Sequence, residues 1–196
     1  MPVPARLRTA RLLLRPWRAE DAASLRPVLE SNQAHLGPWI PARVAQPAPL
    51  QALAKRLAGF ADDFTAAREW RYGMFTPDEA AVIGEVGLYP RDPHGRVPFT
   101  AADRVELGYW LRQDRTGQGL VTEAAQALLA VVRALPSLAH AEIRCDARNA
   151  PSAAVPQRLG FALALTEEQP GAAPGEPPVM LEVWALSLGG HVVVYV

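Results

Sequence analysis

Residues Val105 to Ala125 read VELGYWLRQDRTGQGLVTEAA. The first seven, Val105 to Leu111, are rich in β-branched, aromatic and leucine side chains and read as a strand. Thr116-Gly117-Gln118-Gly119-Leu120-Val121 then leads directly into an apolar helix over Leu120 to Leu135, ended by Pro136. Glycines let a backbone approach a ligand closely, and the first-turn N–H groups of a helix have no partner inside it. Together with the helix dipole they make an anion site suited to phosphate or pyrophosphate. A dinucleotide-binding fingerprint would need a third glycine at Thr122, and a Walker loop would need a Gly-Lys pair; neither is present. A turn without a ligand remains open from this loop alone.

Outward from it, Leu7 to Trp17 reads as a first strand and Ala22 to Glu30 as a helix opened by Glu20-Asp21, acids that suit a first turn. Residues 31–49 carry Pro38, Pro41, Pro47 and Pro49 and read as a loop with short helical turns at most. Leu50 to Ala67 places Leu50, Leu53, Leu57, Phe60, Ala61 and Phe64 on one helical face. Strands follow over Arg71 to Phe75 and Ala81 to Tyr89, and a loop over Arg91 to Ala102. Downstream come a strand over Ala141 to Ala147 and a short helix from Ser152 to Leu159, capped by Gly160. Strands Phe161 to Leu165 and Val179 to Leu186 flank a low-complexity loop from Glu167 to Pro178. Gly189 to Val196 reads as an extra edge strand or a tail. The order β-α-α-β-β-β-α-β-α-β-β predicts a single α/β domain across residues 1–196, with its core at about 7–187.

Composition limits the function classes. Lys+Arg and Asp+Glu are both 20, so no basic excess points to nucleic acid. Nineteen of the cations are arginine and Lys55 is the one lysine, which with 35 alanines reads as coding bias. One cysteine excludes an intramolecular disulfide, and the four histidines form no ligand-spaced pair, so no metal is expected. The apolar run Ala127 to Val132 falls far short of the ~20 residues that cross a bilayer. Arg15 interrupts Leu12-Leu13-Leu14 too early for a signal peptide. The expectation is a cytoplasmic protein without nucleic-acid or membrane partners.

About 30 residues beyond the glycine loop stands Asn149-Ala150-Pro151-Ser152-Ala153-Ala154-Val155-Pro156-Gln157-Arg158-Leu159-Gly160-Phe161. Loop and segment together resemble the GNAT N-acetyltransferase superfamily, and within it the ribosomal-protein alanine and serine N-acetyltransferases. Arg11-Leu12-Leu13-Leu14-Arg15-Pro16, Pro38-Trp39-Ile40-Pro41, Ile83-Gly84-Glu85-Val86-Gly87-Leu88 and Glu106-Leu107-Gly108-Tyr109-Trp110-Leu111 agree in order. The resemblance implies a mixed, mostly antiparallel sheet with two splayed parallel strands, Val105–Leu111 and Ala141–Ala147, and helices on both faces. It implies acetyl-CoA as co-substrate, lying in the splay. Tyr109, Trp110 and Leu111 would then meet the pantetheine through their backbone. Thr116, Gly117, Gln118, Gly119, Leu120, Val121 and Thr122 would wrap the pyrophosphate, and Asn149 would reach the pantetheine from the other side. Three departures stand out: Thr116 replaces an arginine or glutamine, Val121 a glycine or alanine, and Pro156 a tyrosine that protonates the leaving thiolate in several members.

Acetyl transfer to an amine needs a base for the amine and a proton for the thiolate. The resemblance puts Glu106 forward as the base; the alternative is a strand residue paired with Arg104 or Arg112. Arg144 holds the superfamily's second base position and stays protonated. Ser152 is the matching proton donor, with a helix N-cap as its alternative role. Glu85 and Asp103 could attract a cationic amine, Glu85 otherwise being an ordinary strand residue. Trp39 would form an aromatic wall on the acceptor side or anchor its loop in the core. Cys145 reads as a small core residue. The expected acceptor is a primary amine, either a peptide N-terminus or a small metabolite or antibiotic, used in a ternary complex. Edge strands would permit a homodimer. The alternative is a non-catalytic acyl-CoA-binding or interaction module of the same fold.

Overall fold

The chain enters the sheet through a hairpin, not the single strand expected over Leu7 to Trp17. Strand β1 (Leu7–Arg8) runs antiparallel to β2 (Leu13–Pro16). The turn between them is closed by Thr9, whose N–H donates to the Leu12 carbonyl at 2.9 Å and whose Oγ1 accepts from Leu12 N at 3.0 Å. A threonine that satisfies a local N–H offers the backbone an alternative to extended pairing. The computed structural model describes residues 3–170 and 177–189. Most of the expected tail from Gly189 and half of the Glu167–Pro178 loop lie outside them; Glu167 to Gln169 of that loop continue the preceding strand instead.

Helix α1 (Ala22–Ser31), the short α2 (Gln33–Leu36) and α3 (Ala42–Ala45), and α4 (Leu50–Thr65) come next, so residues 31–49 hold short helical turns as expected. Strand β3 (Trp70–Phe75) leads to β4 (Val82–Asp92), which runs three residues past the expected end at Tyr89, and to β5 (Gly95–Arg96), which folds back on β4. The expected loop from Arg91 thus begins as sheet, because Pro90 and Arg91 find partners in Val105 and Arg104. Strand β6 (Arg104–Leu111), helix α5 (Leu120–Arg133), strand β7 (His140–Asp146) and helix α6 (Ala150–Arg158) follow. Strands β8 (Ala162–Gln169) and β9 (Val179–Ser187) complete the described chain.

Among the described residues the sheet runs β1-β2-β3-β4-β6-β7-β9-β8, with β5 beside β4. Its pairs are antiparallel except β6–β7, which is parallel. One face carries α5: Leu120, Ala124, Leu128 and Val132 pack with Tyr72, Val86, Leu107 and Ile143. The other face carries α1 and α4, where Leu25, Leu29, Leu53 and Leu57 meet Trp17, Phe75 and Trp110. The i, i+4 spacing of these buried residues gives each helix one apolar stripe and so fixes which side it packs on. The fold is therefore mixed α/β with helices on both faces. No helix among the described residues is long and apolar enough to cross a membrane.

Candidate active site

Strands β6 and β7 pair along three rungs: Arg104 with His140, Val105 with Ala141, and Glu106 with Glu142. Beyond Glu106 they part. β6 continues to Leu111 held by β4, and β7 continues to Asp146 held by β9. Backbone groups of 107–111 and 143–146 thus face each other across an opening with no ladder between them. Such groups need partners, and an extended ligand bearing amides supplies them. The expected splay is present, and Glu106 stands at its apex.

Tyr109 crosses this opening with its side chain. Its hydroxyl donates to the Ser152 carbonyl at 3.0 Å and accepts from Ser152 Oγ at 3.3 Å. The reason lies in Pro156. In an unbroken helix the N–H of residue 156 would bond the carbonyl of 152, and proline has no N–H. The orphaned Ser152 carbonyl takes the tyrosine instead. Helix α6 starts two residues ahead of the expected Ser152 and does not need Ser152 as its cap. It begins at Ala150, and Asn149 is the N-cap, its Oδ1 accepting from Ser152 N at 3.2 Å. Burial pushes the Tyr109 phenol well above its ordinary value and the Cys145 thiol, close to Ser152, up to about 11.

At the other end of β6 a 3-10 turn over Gln113–Arg115 leads into the glycine loop. Gly117 and Gly119 have φ of 72° and 73°, the left-handed region that favours glycine. A Cβ at Gly117 would meet nothing within 4 Å, and one at Gly119 only Arg11 Nη2 at 3.8 Å. The loop's outer side is open, as a pyrophosphate cradle requires. Thr116 donates its hydroxyl at 2.8 Å to the Gln113 carbonyl, so it holds the turn. Val121 packs against the α5-side core, so its bulk points inward. Leu120 is buried, Thr122 half-buried, and Gln118 donates to the Asp114 carbonyl at 3.3 Å.

Glu106 lies on the face opposite α5, beside Tyr89 of β4. Its partner is neither Arg104 nor Arg112. Arg91 Nη1 donates to Oε2 at 2.6 Å, and Arg96 Nη2 stands 3.9 Å from Oε1. Arg104 instead meets Asp103 and Glu142, and Arg112 meets Asp114. Arg144 donates to Glu167 at 3.1 Å. Tyr89 lies flat against the sheet, where a Cβ at Gly87 or Gly108 would come within 2.7 and 2.9 Å of it. Arg96 stacks on its ring at 4.0 Å.

Glu85 does not reach this surface. It is buried, with Oε2 accepting from Trp17 Nε1 at 2.7 Å and Oε1 from Arg71 Nη1 at 2.9 Å. Burial pushes its carboxyl up, against the pull of Arg71 and of the Trp17 N–H. Separating such a pair leaves an unpaired buried charge at a cost of about 3–5 kcal/mol, too much to spend on holding a substrate. Trp39 follows α2 and is 38% exposed, so it is no core anchor. Trp110 and Leu111 are buried, leaving their backbones to face the opening. Among the described residues no group of three His, Cys, Asp or Glu side chains could hold a metal ion.

Two contacts at the site lie outside what the sequence reading assigned: Arg91 on Glu106, and Arg11, there only a member of its motif, on the glycine loop. Arg11 donates from Nη1 to the Gln118 carbonyl at 2.9 Å and from Nε to Glu123 at 2.7 Å.

Comparison with known proteins agrees with this geometry. The family model of the acetyltransferase (GNAT) domain matches residues 11–162. A Bacillus subtilis (strain 168) protein, YdaF, a candidate ribosomal N-acetyltransferase, is 26% identical over 152 residues, 72% of this chain and 73% of its own. The structure of RimL, a ribosomal L7/L12 alpha-N-protein acetyltransferase solved in disulfide linkage with coenzyme A, superposes with a TM-score of 0.76. It is 20% identical, with 94% of this chain and 97% of that one covered. The microcin C7 self-immunity acetyltransferase MccE, solved with acetyl-CoA and AMP, gives 0.79 at 16% identity, covering 94% and 97%. At these identities the two structures speak for the fold, while the family model spans most of the chain: it belongs to the GNAT acetyltransferase family.

Proposed function

We propose that the protein transfers the acetyl group of acetyl-CoA to a primary amine by direct attack in a ternary complex. The observation that carries this is the parting of β6 and β7 directly after the Glu106–Glu142 rung, with the open glycine loop at the far end of β6. The residues present fit the co-substrate, whose thioester supplies the acetyl group. The backbone of Tyr109, Trp110 and Leu111 bonds the pantetheine amides. Gly117 to Thr122 receive the pyrophosphate, and Asn149 bounds the opposite wall. Glu106 takes the amine proton, its side chain set by Arg91. Ser152 turns the hydroxyl that it here donates to Tyr109 toward the departing sulfur and gives it a proton, which the amine proton taken up by Glu106 replaces through water. The relatives named for ribosomal N-acetylation favour a protein N-terminus as acceptor, which would place the enzyme in the cytoplasm; MccE leaves a small amine as the second acceptor class. The test is acetyl-CoA-dependent thiol release and mass spectrometry with peptides starting in Ala or Ser and with a panel of small amines. Turnover on none of them would remove the proposal.

Because Asn149 holds the cap, Ser152→Ala should leave the melting temperature almost unchanged. A hydrogen bond to a charged group is worth about 1.5–3 kcal/mol, so kcat should fall about 10–100-fold with little change in CoA affinity. A variant with wild-type kcat would show that the hydroxyl is not used on the sulfur.

Direct transfer also requires that no side chain carries the acetyl group. Cys145 is buried with its thiol held protonated at neutral pH. Alkylation by iodoacetamide at pH 7.5 should therefore be at least about tenfold slower in the native protein than in denaturant, since the thiolate is the nucleophile. Equal rates would reopen an acyl-enzyme route.

A further inference from the structure

Glu123 stands in the first turn of α5. An acid there suits the helix dipole, yet it opposes a ligand whose two phosphate charges must rest on the same helix end. Arg11 resolves the conflict from the β1–β2 turn, 112 positions away. Its backbone N–H donates to Glu123 Oε1 at 2.9 Å; its Nε and Nη2 both meet Oε2 at 2.7 Å. The third guanidinium nitrogen, Nη1, donates to the Gln118 carbonyl at 2.9 Å. A peptide unit is planar and trans, so its C=O and N–H point to opposite sides. Holding the Gln118 carbonyl against Arg11 therefore turns the Gly119 N–H to the other side, away from the guanidinium. Successive N–H groups turned one way around a left-handed residue form an anion-binding hollow. Thr116, standing where the superfamily has a longer donor, is spent on Gln113.

We propose that Arg11 is the positioning residue of the acetyl-CoA loop: it aims the Gly119 N–H at the pyrophosphate and cancels the charge of Glu123. This rests on the acetyl-CoA assignment above. Burial works against ionisation of Glu123, but hydrogen bonds from Thr9 and Arg11 outweigh it and hold the carboxyl below its ordinary range, consistent with a locked ion pair.

Calorimetric CoA binding and steady-state kinetics with acetyl-CoA and S-acetylpantetheine, which lacks the phosphates, test this on the full chain. Arg11→Gln should weaken CoA binding about tenfold or more, as loss of a charge-assisted contact does. It should leave the KM for S-acetylpantetheine within about twofold, since that donor makes no use of the loop. Adding Glu123→Gln to it should restore about threefold or more of the CoA affinity, because the uncompensated carboxylate is gone; such coupling is expected of residues in contact. Arg11→Lys, which keeps the charge but not the fork, should show the same split more weakly and stands in if the glutamine variant does not fold. Wild-type CoA affinity in Arg11→Gln would overturn the role of Arg11, as would equal losses for both donors. A wild type that binds no CoA would overturn the acetyl-CoA assignment itself, and with it this role.

Discussion

Glu106→Gln should lower kcat for amine acetylation by about 10²–10⁴-fold, the usual contribution of a general base, and leave acetyl-CoA affinity near that of the wild type. The substitution keeps the shape and removes the basicity. Glu106 stands at the apex of the splay, on the face away from α5 and from the glycine loop that leads into α5. Loss of its charge is therefore not felt at the pyrophosphate. Arg91 holds Oε2 at 2.6 Å and leaves Oε1 as the less engaged oxygen, with Arg96 at 3.9 Å. An amine approaching Oε1 meets a carboxylate already fixed in direction, and orientation of this kind is what a base in a ternary complex requires. The rival account is that water takes the proton and Glu106 merely holds the acceptor ammonium. That account predicts a raised amine KM with near-normal kcat. Saturation kinetics in both substrates across pH separate the two. Under the first, the variant loses rate at every pH and follows the ionisation of the amine alone. An unchanged kcat would take Glu106 out of the reaction.

The sequence carries the framework of this site because its signals are local. Strand, glycine turn and helix follow one another between Val105 and Ala125, so periodicity and glycine placement suffice to read them. The proline-rich stretch 31–49 and the stripe Leu53, Leu57, Phe64 are local in the same sense. The parts that escape are contacts between distant segments. Arg91 becomes strand because Arg104 is there to pair with it, and that pairing brings its guanidinium to Glu106. Pro156 shows in the sequence that the Ser152 carbonyl lacks a helical partner; that Tyr109, 43 residues earlier, supplies one is a fact of packing. Arg11 lies in what reads as an uninterrupted strand, and the Thr9 turn that presents it to Glu123 breaks that strand for reasons no hydrophobic pattern records. Glu85 is a further case. An acid in an apolar strand invites a functional reading, and its buried partners Trp17 and Arg71 are again contacts from distant segments.

Gly119→Asp should abolish the rise in melting temperature that CoA gives the wild type. A ligand that binds the folded state alone adds about 2.7 kcal/mol at one hundred times its Kd, so the wild-type shift is readily measured. Crowding is not the cause of the loss: a Cβ at position 119 would meet only Arg11 Nη2, at an ordinary 3.8 Å. The left-handed φ of 73° adds a backbone penalty of about 1–2 kcal/mol, the cost of that region for residues with a Cβ. Aspartate bears it better than most, and it lowers stability with or without ligand. The decisive term is charge, since the new carboxylate stands at the N-terminus of α5, where the proposed co-substrate would place its two phosphates. Arg11 already balances the charge of Glu123, so its single positive charge leaves one of the two carboxylates uncompensated. Gly119→Ala separates the terms: it pays the backbone penalty without the charge and should keep a measurable CoA shift from its own lower baseline. If the aspartate variant gains as much from CoA as the wild type, the pyrophosphate does not sit on this loop. If alanine loses the shift as completely as aspartate, backbone conformation at Gly119, and not charge, controls the site.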